Sequence, residues 1–236
     1  MSSTHIVSIY DEELKYLSRR ISEMGGTAEQ MVADSVRALV SADAALAQKV
    51  ISEDVILDNA ERQINEKAIV TIAKRQPMAA DLREIMGTIR IAAELERVGD
   101  LGKNTAKRVI AVQSSGMPRK LARGLEHLAE LALMQLKEVL DVFATRSVDK
   151  AKAIRERDDE IDAIYTSLFR ELLTYMMEDP RNITACTHLL FCAKNLERIG
   201  DHVTNIAENA YYVLTGTQLP ANRPKQDETA MTAPAA

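Results

Sequence analysis

Glu96 and Asp100 stand four residues apart in ELERVGD (94–100), and Glu197 and Asp201 repeat that spacing in NLERIGD (195–201). On a helix, residues four apart share one face, with Cβ atoms about 5–6 Å from each other. Two carboxylates so placed repel unless a cation neutralises them. Oxygen donors of this kind suit hard or borderline cations such as Mg²⁺, Mn²⁺, Ca²⁺ or iron. Each copy also carries a glycine, Gly99 or Gly200, inside the helix, where glycine costs about 1 kcal/mol against alanine. A residue that small gives an ion or a neighbouring helix close access. Arg97 and Arg198 follow the two glutamates, and Asn104 and Asn205 hold matching places beyond the motif.

The duplication extends well past the motif. An offset of 101 positions carries Glu96 onto Glu197 and Asp100 onto Asp201, and it also carries Asp58 onto Asp159 and Glu61 onto Asp162. Asp58 lies nineteen residues before Pro77 and Glu96 nineteen after it. If a short turn at Pro77 makes the two flanking helices antiparallel, these carboxylates sit at one height. Counting out from Asp179–Pro180 matches Asp162 with Glu197, and Asp159 nearly with Asp201. Each repeat therefore gathers three or four carboxylates from two helices, and the candidate metal ligands are Glu96, Asp100, Asp58, Glu197, Asp201, Asp159 and Asp162. At about 100° per residue, Asp100 and Asp201 point away from the apolar seams, so the stripe is expected on an outer or groove-facing surface. A single such pair reads more readily as a solvated charged face, with Arg97 and Arg198 pairing nearby acids. The duplication, the matched heights and the costly glycines favour the cation.

Other chemistry finds no support. The four histidines, His5, His127, His188 and His202, never fall three residues after a glutamate, as ferritin-type di-iron sites require. No glycine-rich phosphate loop, nucleophile with an evident base, or zinc spacing occurs, and a non-enzyme is expected. His202, beside Asp201, reads more simply as exposed than as a ligand.

The elements that position the carboxylates must be long helices. Of the 236 residues, 46% are hydrophobic and 28% charged, but only 4% are aromatic, a vocabulary of packed helices. Breakers at 41–43, Pro77, 114–118, 145–147 and 179–180 divide the chain into six helices, with Asp43, Ser115, Ser147 and Asp179 as N-caps and Pro180 at a first helical position. A heptad seam of Leu14, Leu17, Ile21, Met24, Ala28 and Met31 runs through Gly25 and Gly26, so the first helix is expected to continue across them with a local kink. A second seam runs from Leu189 to Val213. The economical reading is an all-α protein of two pseudo-symmetric three-helix bundles of antiparallel helices, residues 1–115 and 116–216, followed by a disordered tail at 217–236. Cys186 and Cys192 read as small core hydrophobes. A net charge of −5 argues against nucleic acid as a partner. No stretch is long and apolar enough to span a membrane, and no signal peptide is evident, so a cytoplasmic protein is expected.

The stretches AKRQPMAADLREIMGTIRIAAELERVGDLGKNTAKRV (73–109) and NLERIGDHVTNIAENAYYVLTG (195–216) resemble the PhoU family of phosphate-uptake regulators, and the likeness covers nearly the whole chain outside the tail. The resemblance implies two three-helix bundles, each with an ExxxD-type motif that in some members binds multinuclear metal clusters. Carried onto this chain, the motif residues are Glu96, Asp100, Glu197 and Asp201, with Asp58, Asp159 and Asp162 as additional ligands and Fe, Mn, Mg or Zn as the ion. It implies a negative regulator of the phosphate-starvation response, a homodimeric adaptor between the ATPase subunit of a phosphate ABC importer and a sensor histidine kinase. A metal-free scaffold or dimerisation protein and a metal-buffering protein are the rival readings. Two departures make the halves unequal. Leu101-Gly102-Lys103 stands where the second copy has His202-Val203-Thr204, and Arg155 stands where the first copy has Asp54.

Overall fold

The computed structural model describes residues 2–112 and 119–220. The helices are α1 (Ser2–Ser41), α2 (Ala44–Arg75), α3 (Ala80–Val112), α4 (Arg119–Thr145), α5 (Val148–Glu156), α6 (Asp158–Glu178) and α7 (Ile183–Thr215), with a 3₁₀ turn at Pro180–Asn182 before the last. No strand occurs among the described residues. Helices α1, α2 and α3 pack on one another as the first half, α4 to α7 form the second, and α3 lies along α7 between them. Contacts of Glu94 with Asn205 and of Asn195 with Thr105 show that α3 and α7 run antiparallel.

Local chemistry sets the ends. The Asp43 carboxylate accepts from the Leu46 amide at 2.9 Å, and the Ser147 hydroxyl accepts from Lys150, each satisfying an amide the helix leaves unpaired. Helix α2 ends on Gln76 in the left-handed region (φ 49°), immediately before Pro77, which cannot supply a helical amide hydrogen. Asp179 caps the 3₁₀ turn rather than a full helix, accepting from the Arg181 amide at 3.0 Å with Pro180 at the first position. The expected cap at Ser115 falls outside the described residues.

Both seams lie in the core. Leu17, Ile21, Met24, Ala28 and Met31 are buried along α1, and Leu189, Cys192, Leu196, Ile199, Val203, Ile206, Ala210 and Val213 along α7. Helix α1 runs unbroken through Gly25 and Gly26. A methyl group at Gly25 would collide with Leu140 of α4, whereas one at Gly26 would meet nothing within 4 Å; the first glycine lets two helices approach closely.

One element differs from expectation. The fifth of the six expected helices is two, α5 and α6, divided at Arg157 (φ −98°, ψ 11°). Its carbonyl accepts from Gln135 Nε2 of α4 at 3.2 Å, and its guanidinium pairs with Glu138 and Glu160. The break is stabilised by the neighbouring helix, not by a local breaker. Of the expected tail, only residues 217–220 fall within the described residues. Thr217–Pro220 follow α7 as coil, and Arg155 of α5 donates to the Pro220 carbonyl at 2.6 Å while pairing with Glu208 at 2.8 Å.

Candidate functional site: two acidic clusters on paired helices

In the first half the carboxylates converge as their heights require. Glu96 and Asp100 on α3 face Asp58 on α2, joined by Asp54 and Glu61 from the same α2 face. The Glu96 carboxyl is pushed above its ordinary range, by burial first and then by the charges of Asp100, Glu61, Asp58 and Asp54. Five acids thus share one electrostatic neighbourhood. Lys103, one turn beyond Asp100, turns back into it; its ammonium contacts Asp54 Oδ2 at 2.6 Å and also pairs with Asp100 Oδ1. These two ion pairs raise the Lys103 pKa despite the opposing effect of burial, which is the largest single influence. Asp54, Glu61 and Lys103 complete a cluster whose core was foreseen from Glu96, Asp100 and Asp58. The 54, 58, 61 spacing on one face of α2 was the available signal.

The second half differs. Glu197 and Asp162 are buried, at 4% and 6% exposure, so of the expected outer or groove-facing surface this half shows no outer face at these two residues. Helix α7 packs against α3, α4, α5 and α6, and a face that avoids one seam meets another neighbour. Burial pushes the Glu197 carboxyl up; Lys194 pulls it down, while Asp201 and Asp162 add to the rise. One Glu197 oxygen accepts from Lys194 at 2.9 Å, and the other, buried, has no hydrogen-bond partner. Asp159 and Asp201 remain half-buried at the rim. Among the described residues, no three histidine, cysteine or acidic side chains converge tightly enough to enclose a metal ion.

The glycines face the neighbouring helix. A Cβ at Gly99 would collide with Leu57 of α2, and one at Gly200 would lie 2.7 Å from Ile161 Cδ1 of α6. Each glycine therefore brings together the two helices that carry its carboxylates. Arg97 and Arg198 are exposed, and the Arg97 charge helps to lower the Glu94 pKa.

The two asparagines are not equivalent. Asn104 is exposed, whereas Asn205 donates to Glu94 Oε2 at 3.1 Å. His202 is buried, at 8% exposure, and contacts the same Glu94 oxygen at 2.7 Å. The expectation of an exposed histidine is thereby corrected: the ring joins the two halves across α3 and α7. Burial acts to raise the Glu94 carboxyl, but hydrogen bonds from His202 and Asn205 prevail and hold it below the ordinary range. Beside this network is a polar cavity of about 440 Å³ lined by Arg90, Glu94, Asn205, Tyr212 and the 218–220 segment.

A duplicated all-α scaffold, with one acidic cluster between two helices of each half, defines a class of two-repeat helical-bundle proteins. The PhoU domain family matches the chain twice, over residues 21–109 and 125–210, one match to each repeat. The chain belongs to the PhoU family. It is 82% identical to the phosphate-specific transport system accessory protein PhoU homolog of Rhizobium meliloti (strain 1021), over 97% of each chain. It is 48% identical to the protein of the same name from Caulobacter vibrioides, covering 94% of this chain and 97% of that one. Crystal structures of PhoU from Pseudomonas aeruginosa (TM-score 0.85, 37% identity, 88% of this chain and 100% of that one) and of the phosphate transport system regulatory protein PhoU from Streptococcus pneumoniae (TM-score 0.82, 26% identity, 89% and 99%) share the fold.

Proposed function

We propose that this protein is a negative regulator of phosphate uptake and of the phosphate-starvation response, working as an adaptor. Its partners are the ATPase subunit of a phosphate ABC importer and a phosphate-responsive sensor histidine kinase, and it acts in the cytoplasm as a homodimer. One observation carries this reading: 82% identity, over nearly the full length, to an accessory protein of the phosphate-specific transport system. No helix among the described residues is long and apolar enough to cross a membrane, in keeping with attachment to a transporter through surface contacts.

Metal binding is the second part of the reading. The donor set suits a divalent or transition cation, iron, manganese, magnesium or zinc, because it consists of clustered carboxylates, whose charges add to the rise of the Glu96 pKa, and includes a buried Glu197 oxygen with no partner. Glu96, Asp100 and Asp58 would hold the ion in the first half, and Glu197, Asp201, Asp159 and Asp162 in the second. A bound cation neutralises clustered acid and ties α2 to α3 and α6 to α7. The protein's own residues set the positions: Gly99 and Gly200 fix the helix spacing, and Glu94, His202 and Asn205 fix α3 against α7. A rigid pair of halves then presents a constant surface to the partners.

Deleting the gene in the native host tests the regulatory part. The deletion strain should express a starvation-responsive alkaline phosphatase reporter in phosphate-replete medium, and the wild-type gene should silence it. A reporter that stays off in the deletion strain rules the role out. Elemental analysis, with melting curves taken with and without EDTA, tests the metal part. A fixed metal ratio and a melting temperature lowered by chelator are expected. No metal and no shift would leave a metal-free scaffold.

A further inference from the structure

Lys103 stands out among the residues that the function does not use. Its side chain is 19% exposed, and it joins an acid on each of two helices, Asp54 on α2 at 2.6 Å and Asp100 on α3. It spans the helix pair where a metal ion would. The second half lacks both parts of this arrangement: an offset of 101 places Thr204 opposite Lys103 and Arg155 opposite Asp54. Thr204 is fully buried, and Arg155 is directed to Glu208 and the Pro220 carbonyl. There the buried Glu197 oxygen keeps no partner.

We infer that Lys103 is a tethered counterion of the first acidic cluster, and that its ammonium competes with a divalent cation for that cluster. The inference rests on the metal reading above. The ammonium occupies Asp100 Oδ1, an oxygen of one proposed ligand, and its charge repels a divalent ion beside it, so binding of one disfavours the other. The ammonium strengthens the metal-free state by neutralising clustered acid and weakens metal binding by the same interaction. Its loss removes one positive charge from beside the incoming cation. Charges within about 4–6 Å shift such equilibria by roughly one to three powers of ten. In the second half the ammonium beside the acids is Lys194, paired with Glu197 from the same helix, so the two sites meet different competitors.

The test uses the full chain. Mn²⁺ is titrated calorimetrically into wild type, Lys103→Thr, which installs the second half's residue, and Lys103→Gln, which keeps length and polarity should the threonine variant fold poorly. Both variants should bind Mn²⁺ at least about tenfold more tightly at one site, and adding Glu96→Ala and Asp100→Ala to either should abolish the gain. In parallel, Lys103 of the wild-type protein is labelled by acetic anhydride and quantified by mass spectrometry. Saturating Mn²⁺ should increase its labelling several-fold.

Unchanged affinity in both variants and unchanged labelling, with Mn²⁺ still bound by wild type, would overturn the counterion and leave the metal reading standing. Absence of Mn²⁺ binding by wild type and both variants would overturn the metal reading and the inference with it.

Discussion

Replacing Gly99 by alanine decides what the costly glycine of the motif is for. In an unconstrained helix interior the substitution stabilises by about 1 kcal/mol. Here the new methyl would collide with Leu57, itself 1% exposed and hemmed in by the core. Forcing an extra methyl into such packing costs roughly 1–3 kcal/mol, so the net expectation is a loss of up to about 2 kcal/mol. For a chain of this size that is a fall in melting temperature of up to roughly 4–8 °C. Gly26→Ala is the control, because nothing lies within 4 Å of its added methyl; it should stabilise by up to about 1 kcal/mol. A second background separates collision from other causes. In Leu57→Ala the space is vacated, and Gly99→Ala should become stabilising there, giving a coupling of roughly 1–3 kcal/mol in the cycle. The assay is urea unfolding followed by circular dichroism on metal-free protein. If Gly99→Ala stabilises the wild-type background as much as Gly26→Ala does, the helix-spacing argument is refuted and the glycine serves something else.

Further outcomes follow from the same contacts. Glu94→Ala leaves His202 and Asn205 without their shared acceptor and should cost about 2–4 kcal/mol at neutral pH. Because the folded state holds the Glu94 pKa below its ordinary value, that contribution is present above the ordinary carboxylate range and is lost as pH falls through the depressed value; unfolding midpoints of wild type and variant should therefore converge in acid. Arg155→Ala removes the donor to Pro220 and the partner of Glu208, so limited proteolysis should cleave after α7 several-fold faster, without a comparable change elsewhere. Both cysteines are buried, and burial pushes the Cys192 thiol up to about 12. Ellman's reagent should consequently titrate no fast thiol in native protein and two in urea; one rapid equivalent under native conditions would contradict the burial.

Much of this architecture was legible in the chain itself, for identifiable reasons. The seams along α1 and α7 repeat every three and four residues, and Asp43 and Ser147 cap where short polar residues satisfy open amides. The height argument joining Asp58 to Glu96 needed only a turn at Pro77 and a constant rise per residue. What escaped depends on third partners. Arg157 divides α5 from α6 because Gln135 and Glu138 on α4 receive it, and no local spacing announces that. Glu197 and His202 flank the seam of α7 on its two sides, yet they are buried because that helix is surrounded on several sides. Lys103 reads as an ordinary exposed cation until its two acids, 49 residues and three residues away, are brought together.

The meeting of α3 with α7 bears on ancestry. The same helix of each repeat carries the acidic motif and forms the seam with the other half, through Glu94 with Asn205 on one side and Asn195 with Thr105 on the other. Under the 101-residue offset Glu94 corresponds to Asn195 and Asn205 to Asn104, the neighbour of Thr105, so the two cross-seam contacts stand one residue from exact reciprocity, as in an approximate twofold arrangement. A progenitor encoding a single repeat would have met its own twin along this helix. Two copies joined in one chain are each free to differ, as Lys103 against Thr204 and Asp54 against Arg155 do.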